Sequence, residues 1–253
     1  MRLNKKKFDD FSLYLNADNK GISGNLNLLG WWEPGFTWML QTEAEGLAVE
    51  VGASVGYCTM ILCSKCDSVI VFEPDSRSRK ILKKNIELNN QWDKVTLHSC
   101  ALSNSTGMKK MYLAKKPNQS GFVKPKGVVG KKIIKTKTID QLEVLPAFIK
   151  MDIEGYEIEV LRGAMKTLED TSRCKILMEV HPGAYSESRS FEKTLRELLD
   201  IGFYFKYIES AAVAVPDLFA EKGYEPFRVF DCGGAFKRGI YKNVKPDDGV
   251  FFS

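Results

Sequence analysis

From Leu47 onward, short apolar runs alternate with stretches whose apolar residues recur at helical spacing, which predicts strands and helices in turn. LAVEVG (47–52) is a first strand closed by glycine, followed by a helix through about Ser64. SVIVFEP (68–74) is a second strand ending in an acid and a proline. Residues 76–90 place Ile81, Leu82, Ile86 and Leu88 among Arg, Lys and Asn, an amphipathic helix. KVTLHSCAL (94–102) reads as a third strand. MKKMYLA and KKIIKTKTI then alternate with period two around a Pro- and Gly-containing turn region, which predicts a hairpin inserted at 107–138. LPAFIKMDI (145–153) is a fourth core strand, and Ile158, Leu161, Met165 and Leu168 mark a helix over 155–169. KILMEVHP (175–182) is a fifth strand, FEKTLRELLDIG (191–202) a helix stopped by Gly202, and FYFKYIES (203–210) a sixth strand. The tail, 211–253, carries enough apolar residues to pack back, but its pattern fixes no elements.

Strands alternating with helices imply an α/β fold, a mostly parallel sheet covered on both faces. Ligands of such sheets bind beyond the carboxyl ends of the strands, near the point where strand order reverses. Functional residues are therefore expected just after each strand. Residues 1–45 form an N-terminal extension whose Trp31, Trp32, Phe36 and Trp38 could pack over the core, close as a lid or present a partner surface. Residues 46–253 read as one ligand-binding domain.

Composition narrows the class. With 253 residues, 44% hydrophobic and 27% charged, the chain is neither disordered, collagen-like nor a small disulfide scaffold. No run reaches about 18 uncharged apolar residues, so no membrane span is expected. The charged start MRLNKKKFDDF lacks an apolar signal core, and the chain reads as soluble and cytoplasmic. The net charge of +5 is local in origin: residues 109–137 hold ten lysines and no acid. Only 27 of the 37 basic residues lie elsewhere, against all 32 acids. Such a segment either attracts phosphate or guards the edges of a solvated hairpin. The six cysteines form no spaced framework, and Cys63-Ser-Lys-Cys66 lacks the two further ligands a zinc site needs. They read as reduced thiols.

The first strand runs into Glu50-Val-Gly52-Ala53-Ser54-Val-Gly56. Gly52 suits a tight turn, and Gly56 suits close approach of the next helix, whose N-terminus then faces a ligand. Glu73-Pro74 ends the second strand 21 residues after Gly52, where a carboxylate accepts hydrogen bonds from ribose hydroxyls. The ligand is thus adenosine-containing. A pyrophosphate would be repelled by Glu50, and Ser54 stands where a dinucleotide turn has its central glycine. An ammonium and a sulfonium suit Glu50 better, so S-adenosylmethionine is favoured over a nicotinamide dinucleotide.

AVEVGASVGYCT (48–59), VIVFEPD (69–75), CALSNSTG (100–107), TIDQL (138–142), FIKMDIEGYEIEVLRGA (148–164) and ILMEVHP (176–182) together resemble the FkbM-type S-adenosylmethionine-dependent methyltransferases. The resemblance covers about 45–185. Glu50 stands where that family commonly has Asp, and Ser54 where it commonly has Asn. The resemblance implies a class I Rossmann-like fold with seven strands in the order 3-2-1-4-5-7-6, the last antiparallel. It also implies O-methylation of a hydroxyl on a sugar, glycan or secondary metabolite. By position, Glu50, Gly52, Ala53, Ser54 and Gly56 would border the methionyl end and Glu73 with Pro74 the ribose. Cys100 and Ala101 would border the adenine.

On the acceptor side, Asp152 and Glu154 follow the fourth strand, while Glu179 and His181 share one face at the end of the fifth. Asp152, beside the cofactor turn, is the candidate for acceptor positioning or base. His181 is the rival base by its ordinary pKa near 6.5. Glu154 and Glu179 are substrate-side candidates, though Glu154 could instead charge the N-terminus of the following helix. These acids and the histidine are competent ligand types for a divalent ion, but their spacing defines no metal site, and none is expected. Two other functions compete. One is an RNA ribose 2′-O-methyltransferase using the basic segment, with Lys150 and Asp152 near the acceptor. The other is a catalytically idle module that binds cofactor or partner.

Overall fold

The sheet is built outward from the Leu47–Val51 strand, in which only Leu47 is not fully buried. Its neighbours are Ser68–Phe72 on one side and Phe148–Met151 on the other, both parallel to it. Val95–His98 and Lys175–Met178 complete five parallel strands, so the spatial order is fifth, fourth, first, second, third in chain sequence. The structure, a computed structural model, describes residues 2–18, 21–125, 127–171, 173–210, 218–232 and 237–252. Lys126, within the basic segment, lies outside them.

The chain divides into two units, residues 1–32 with 40–186, and residues 33–39 with 187–253. The first holds the parallel sheet. Helices Tyr57–Lys65 and Ser76–Leu88 follow the first two strands, and Asp75 caps the second of them by accepting from the Arg77 amide at 2.9 Å. The antiparallel strands Leu3–Lys7 and Ser12–Asn16 belong to the same unit. Asn85 and Asn89 of the Ser76–Leu88 helix bond the backbone of Tyr14 and Ser12, which satisfies that outer strand's edge. Leu13, Leu15 and Leu26 are fully buried, so part of the N-terminal extension is core.

Three expected elements are cut differently. The third strand stops at His98, and Ala101–Leu102 pairs instead with Thr136–Lys137 of a separate three-stranded sheet. That sheet is otherwise the antiparallel pair Gly107–Ala114 and Val128–Lys137. The helix expected over 155–169 is two, Glu157–Arg162 and Met165–Asp170. The break falls at Gly163, where a β-carbon would overlap the Ser103 carbonyl, so backbone approach overrides apolar periodicity. The fifth strand ends at Met178, leaving 179–182 beyond the ladder.

The second unit has its own antiparallel sheet, Ile208–Glu209, Lys237–Tyr241 and Arg228–Asp231 in that order. Of the sixth strand expected over 203–210 only Ile208–Glu209 forms, and it is not part of the parallel sheet. The aromatic pattern there marks packing instead of a ladder: Tyr207 sets its ring edge-on against Trp38, 5.5 Å between centres. Phe219 stacks on buried Tyr241 at 4.0 Å beside Val244. In place of the expected seven-stranded sheet, the described residues form one five-stranded parallel sheet, two separate three-stranded sheets and one two-stranded pair.

None of the six cysteines, all of which are among the described residues, is in a disulfide. Burial pushes the Cys63 thiol to about 12 and Cys66 to about 11, which favours the protonated thiol at both.

Candidate active site

One further backbone hydrogen bond beyond each strand sets the geometry of the carboxyl edge. The amides of Glu179, Asp152, Gly52 and Glu73 donate to Met151, Val51, Phe72 and His98 respectively. These four residues therefore form one row across the sheet, at the switch point where the first strand meets the fourth. This is the edge where the sequence places its functional residues.

The turn after the first strand is left-handed at three positions: Gly52 (φ 81°), Ser54 (φ 50°) and Gly56 (φ 96°). A β-carbon at Gly52 would overlap the Asp152 carbonyl oxygen, and one at Gly56 would come within 2.6 Å of Leu82. Gly56 thus admits the Ser76–Leu88 helix, not the strand before it. Ala53 is buried beside them.

Two buried carboxylates flank this turn. Glu50 has no exposed surface; one oxygen accepts from Thr59 Oγ1 at 2.6 Å and Oε1 has no hydrogen-bond partner. Burial raises its pKa, opposed by Lys150 and the Thr59 bond. Glu73 accepts the Ser54 amide at 2.8 Å on one oxygen and the Asp75 amide at 2.7 Å on the other. Burial pushes its pKa to about 7 against those bonds. Glu73 ties the two turns together, while capping of the next helix falls to Asp75. Pro74 is half-buried between them. The buried Ser54 hydroxyl also lacks a partner. An unsatisfied buried polar atom is costly, so two at one turn mark where a ligand's donors fit.

Lys150 is the cation at the centre. Its side chain is 2% exposed and Nζ donates to the Gly52 carbonyl at 2.8 Å. Burial alone would lower its pKa; Cys58, Asp152, Glu50 and Glu179 together raise it. Sequence reasoning used Lys150 only as an acceptor-side residue for RNA. The available signal was a lysine inside an otherwise apolar strand, FIKMDI.

Asp152, Glu179 and His181 do converge, with one ligand atom from each lying within 4.8 Å of the others. The sequence missed the residue that arranges them. Glu157 is fully buried, accepts the Gly155 amide at 3.2 Å, and is bonded to His181 Nδ1 at 3.1 Å and to the Tyr185 hydroxyl at 2.9 Å. His181 Nε2 then lies 3.8 Å from Glu179 and 4.0 Å from Glu154. Burial disfavours the charged imidazole, but Glu157, Asp152 and Glu154 raise the His181 pKa overall. The histidine also holds Glu157 below its usual value, despite burial. Glu154 stands in the left-handed region (φ 58°), and the Ile153 and Gly155 amides of the turn donate to Glu157. Although the spacing defined no metal site, this histidine with two carboxylates is a donor set competent for a divalent ion.

On the expected adenine side, Cys100 is buried and Ala101 packs with Met111 and Ile134. The Ala101 side chain is committed to that core, so only its backbone is available to a ligand.

The family model for the methyltransferase FkbM domain matches residues 50–205. Among solved structures, a methyltransferase FkbM from Methylobacillus flagellatus KT is 20% identical, TM-score 0.45, over 79% of this chain and 44% of that one. An M. jannaschii tRNA m1G37 methyltransferase is 13% identical, TM-score 0.40, over 96% and 57% respectively. A precorrin-6y C5,15-methyltransferase from Geobacter metallireducens GS-15 is 12% identical, TM-score 0.40, over 82% and 84%. The chain thus spans about half the length of the first two. No curated protein matches it.

Proposed function

The chain belongs to the FkbM methyltransferase family, and from that premise we propose that it moves a methyl group from S-adenosylmethionine to a hydroxyl of a sugar, glycan or secondary metabolite. The observation that carries the cofactor is the unpartnered Glu50 Oε1 and Ser54 Oγ at a glycine turn beside buried Glu73. Glu50 would accept the methionyl ammonium and Glu73 the ribose hydroxyls. Pro74 and Gly56 would shape the pocket walls, with the backbone of Cys100 and Ala101 at the adenine.

The chemistry supplied by the bound cofactor is an electrophilic methyl group, open to in-line displacement by an acceptor oxygen. Most of the rate then comes from holding that oxygen about 3–3.5 Å away and aligned. Asp152 sits beside Gly52 at the row's centre and is assigned to orient the acceptor and take its proton. His181, whose proton is held by Glu157, is assigned as a charged donor that fixes Asp152, Glu154 and Glu179 around the acceptor. In this proposal Asp152 is the base, and His181 stays bonded to Glu157 through Nδ1.

Methyl-labelled S-adenosylmethionine incubated with hydroxylated glycans and polyols tests the reading. Label transfer to an oxygen supports it, whereas transfer to nitrogen or carbon acceptors alone refutes it. Asp152→Ala is expected to keep S-adenosylhomocysteine binding and to lose about 10²-fold or more in turnover, the scale of a general base.

A further inference from the structure

We propose that the outward face of the lysine-rich hairpin is a docking surface for an anionic lipid bilayer. The pairing of Gly107–Ala114 with Val128–Lys137 sets which side chains share that face. Met108 lies opposite Lys135, Lys110 opposite Ile133 and Tyr112 opposite Lys131. Val129, at the irregularity near Leu113 and Ala114, has the same parity as Lys131 and Ile133. The opposite face carries Met111 and Ile134, which pack with Ala101 as core.

A sheet with one face on a core ordinarily shows polar residues on the other. Here the outward face alternates lysine with bulky aliphatics. Met108 is 65% exposed, Val129 61% and Ile133 57%. Lys110, Lys131 and Lys135 are exposed among them. No acid occurs anywhere from residue 94 to residue 139, so the hairpin contributes only positive charge.

Charge complementarity demands an anionic partner, and the aliphatics choose which. A single-stranded nucleic acid needs aromatic platforms for its bases. This face has one ring, Tyr112, and the Lys131 ammonium stands 5.9 Å from its centre. Exposed Met, Val and Ile give bases nothing to stack on and gain little beside phosphates. At a bilayer surface both halves of the pattern are used. Aliphatic tips enter the boundary between headgroups and acyl chains, while lysines reach the lipid phosphates. Lysine stems are long enough to lie along the apolar layer with their ammonium groups in water. A second copy of the same face would be repelled by like charge.

Flotation of the full chain with vesicles tests this. One set is phosphatidylcholine alone and the other contains one-third phosphatidylglycerol. Binding to the anionic vesicles is expected to be at least tenfold tighter. Lys110→Gln/Lys131→Gln/Lys135→Gln should weaken it about a hundredfold, by the usual contribution of surface lysines. Met108→Ser/Val129→Ser/Ile133→Ser should weaken it at least tenfold while leaving the circular dichroism spectrum unchanged. Failure to float with anionic vesicles overturns the proposal. So does binding indifferent to the three serines, which would be electrostatic adsorption alone. Tighter binding to polyuridylate than to anionic vesicles would reassign the face to nucleic acid.

Discussion

Glu73 carries the sharpest prediction at the scale of single residues. Its pKa, pushed by burial to about 7, means that the ligand-free site holds much of this carboxyl protonated near neutrality. Ribose hydroxyls donate to the ionised form, so S-adenosylhomocysteine affinity is expected to rise as pH climbs through about 7. Glu73→Gln should flatten that rise and leave affinity low; a parallel rise in the variant would move the titration elsewhere. Without ligand the sign reverses. The folded state holds the proton more tightly than the unfolded chain, so stability is lost as pH rises from the ordinary carboxyl value of 4.5 toward about 7. Lys150 gives a second prediction. It neutralises Glu50 and Asp152 from a fully buried position, and removing one partner of such a set costs about 3–5 kcal/mol. Lys150→Met is therefore expected to lower the urea midpoint strongly, and a midpoint near wild type would contradict the buried-cation account.

At the scale of elements, the turn after the first strand was legible because Gly52 and Gly56 meet real steric limits. Gly52→Ala would force φ 81° on a residue with a β-carbon and push it into the Asp152 carbonyl. Thermal unfolding should shift down by the equivalent of about 1–3 kcal/mol, the usual scale of such strain, with cofactor binding lost alongside. An unchanged transition would mean that the turn relaxes freely. Other elements were not legible for equally physical reasons. The run KVTLHSCAL looks continuous, yet its two halves pair with different sheets, which only long-range contacts decide. Glu157 reads as a helical surface charge, but the fold buries it to receive His181, Tyr185 and the Gly155 amide. Glu179 and His181 were grouped by strand alternation; they do meet, though on chain beyond the strand, held from the helix side. The acidic row at the carboxyl edge was readable because it depends only on where strands end.

Over the whole molecule, the chain separates a carboxylate-rich site from an acid-free basic hairpin. Periodicity located the five parallel strands, whereas the tail had no period to read and supplies two of the three strands of the second unit's small sheet. Among the described residues no helix is long and apolar enough to cross a membrane; the bilayer contact proposed above is a surface one, made by the hairpin. The chain belongs to the FkbM methyltransferase family, and the row formed by Glu179, Asp152, Gly52 and Glu73 is where the proposed chemistry would sit.

The most direct measurement is calorimetric titration with S-adenosylhomocysteine of the wild-type chain, Glu73→Ala and Asp152→Ala, with NAD as the comparison ligand. The account predicts micromolar binding to wild type, at least tenfold weaker binding to Glu73→Ala, nearly unchanged binding to Asp152→Ala, and no heat from NAD. Equal affinity in wild type and Glu73→Ala, or a wild-type site that takes NAD and not S-adenosylhomocysteine, would contradict it.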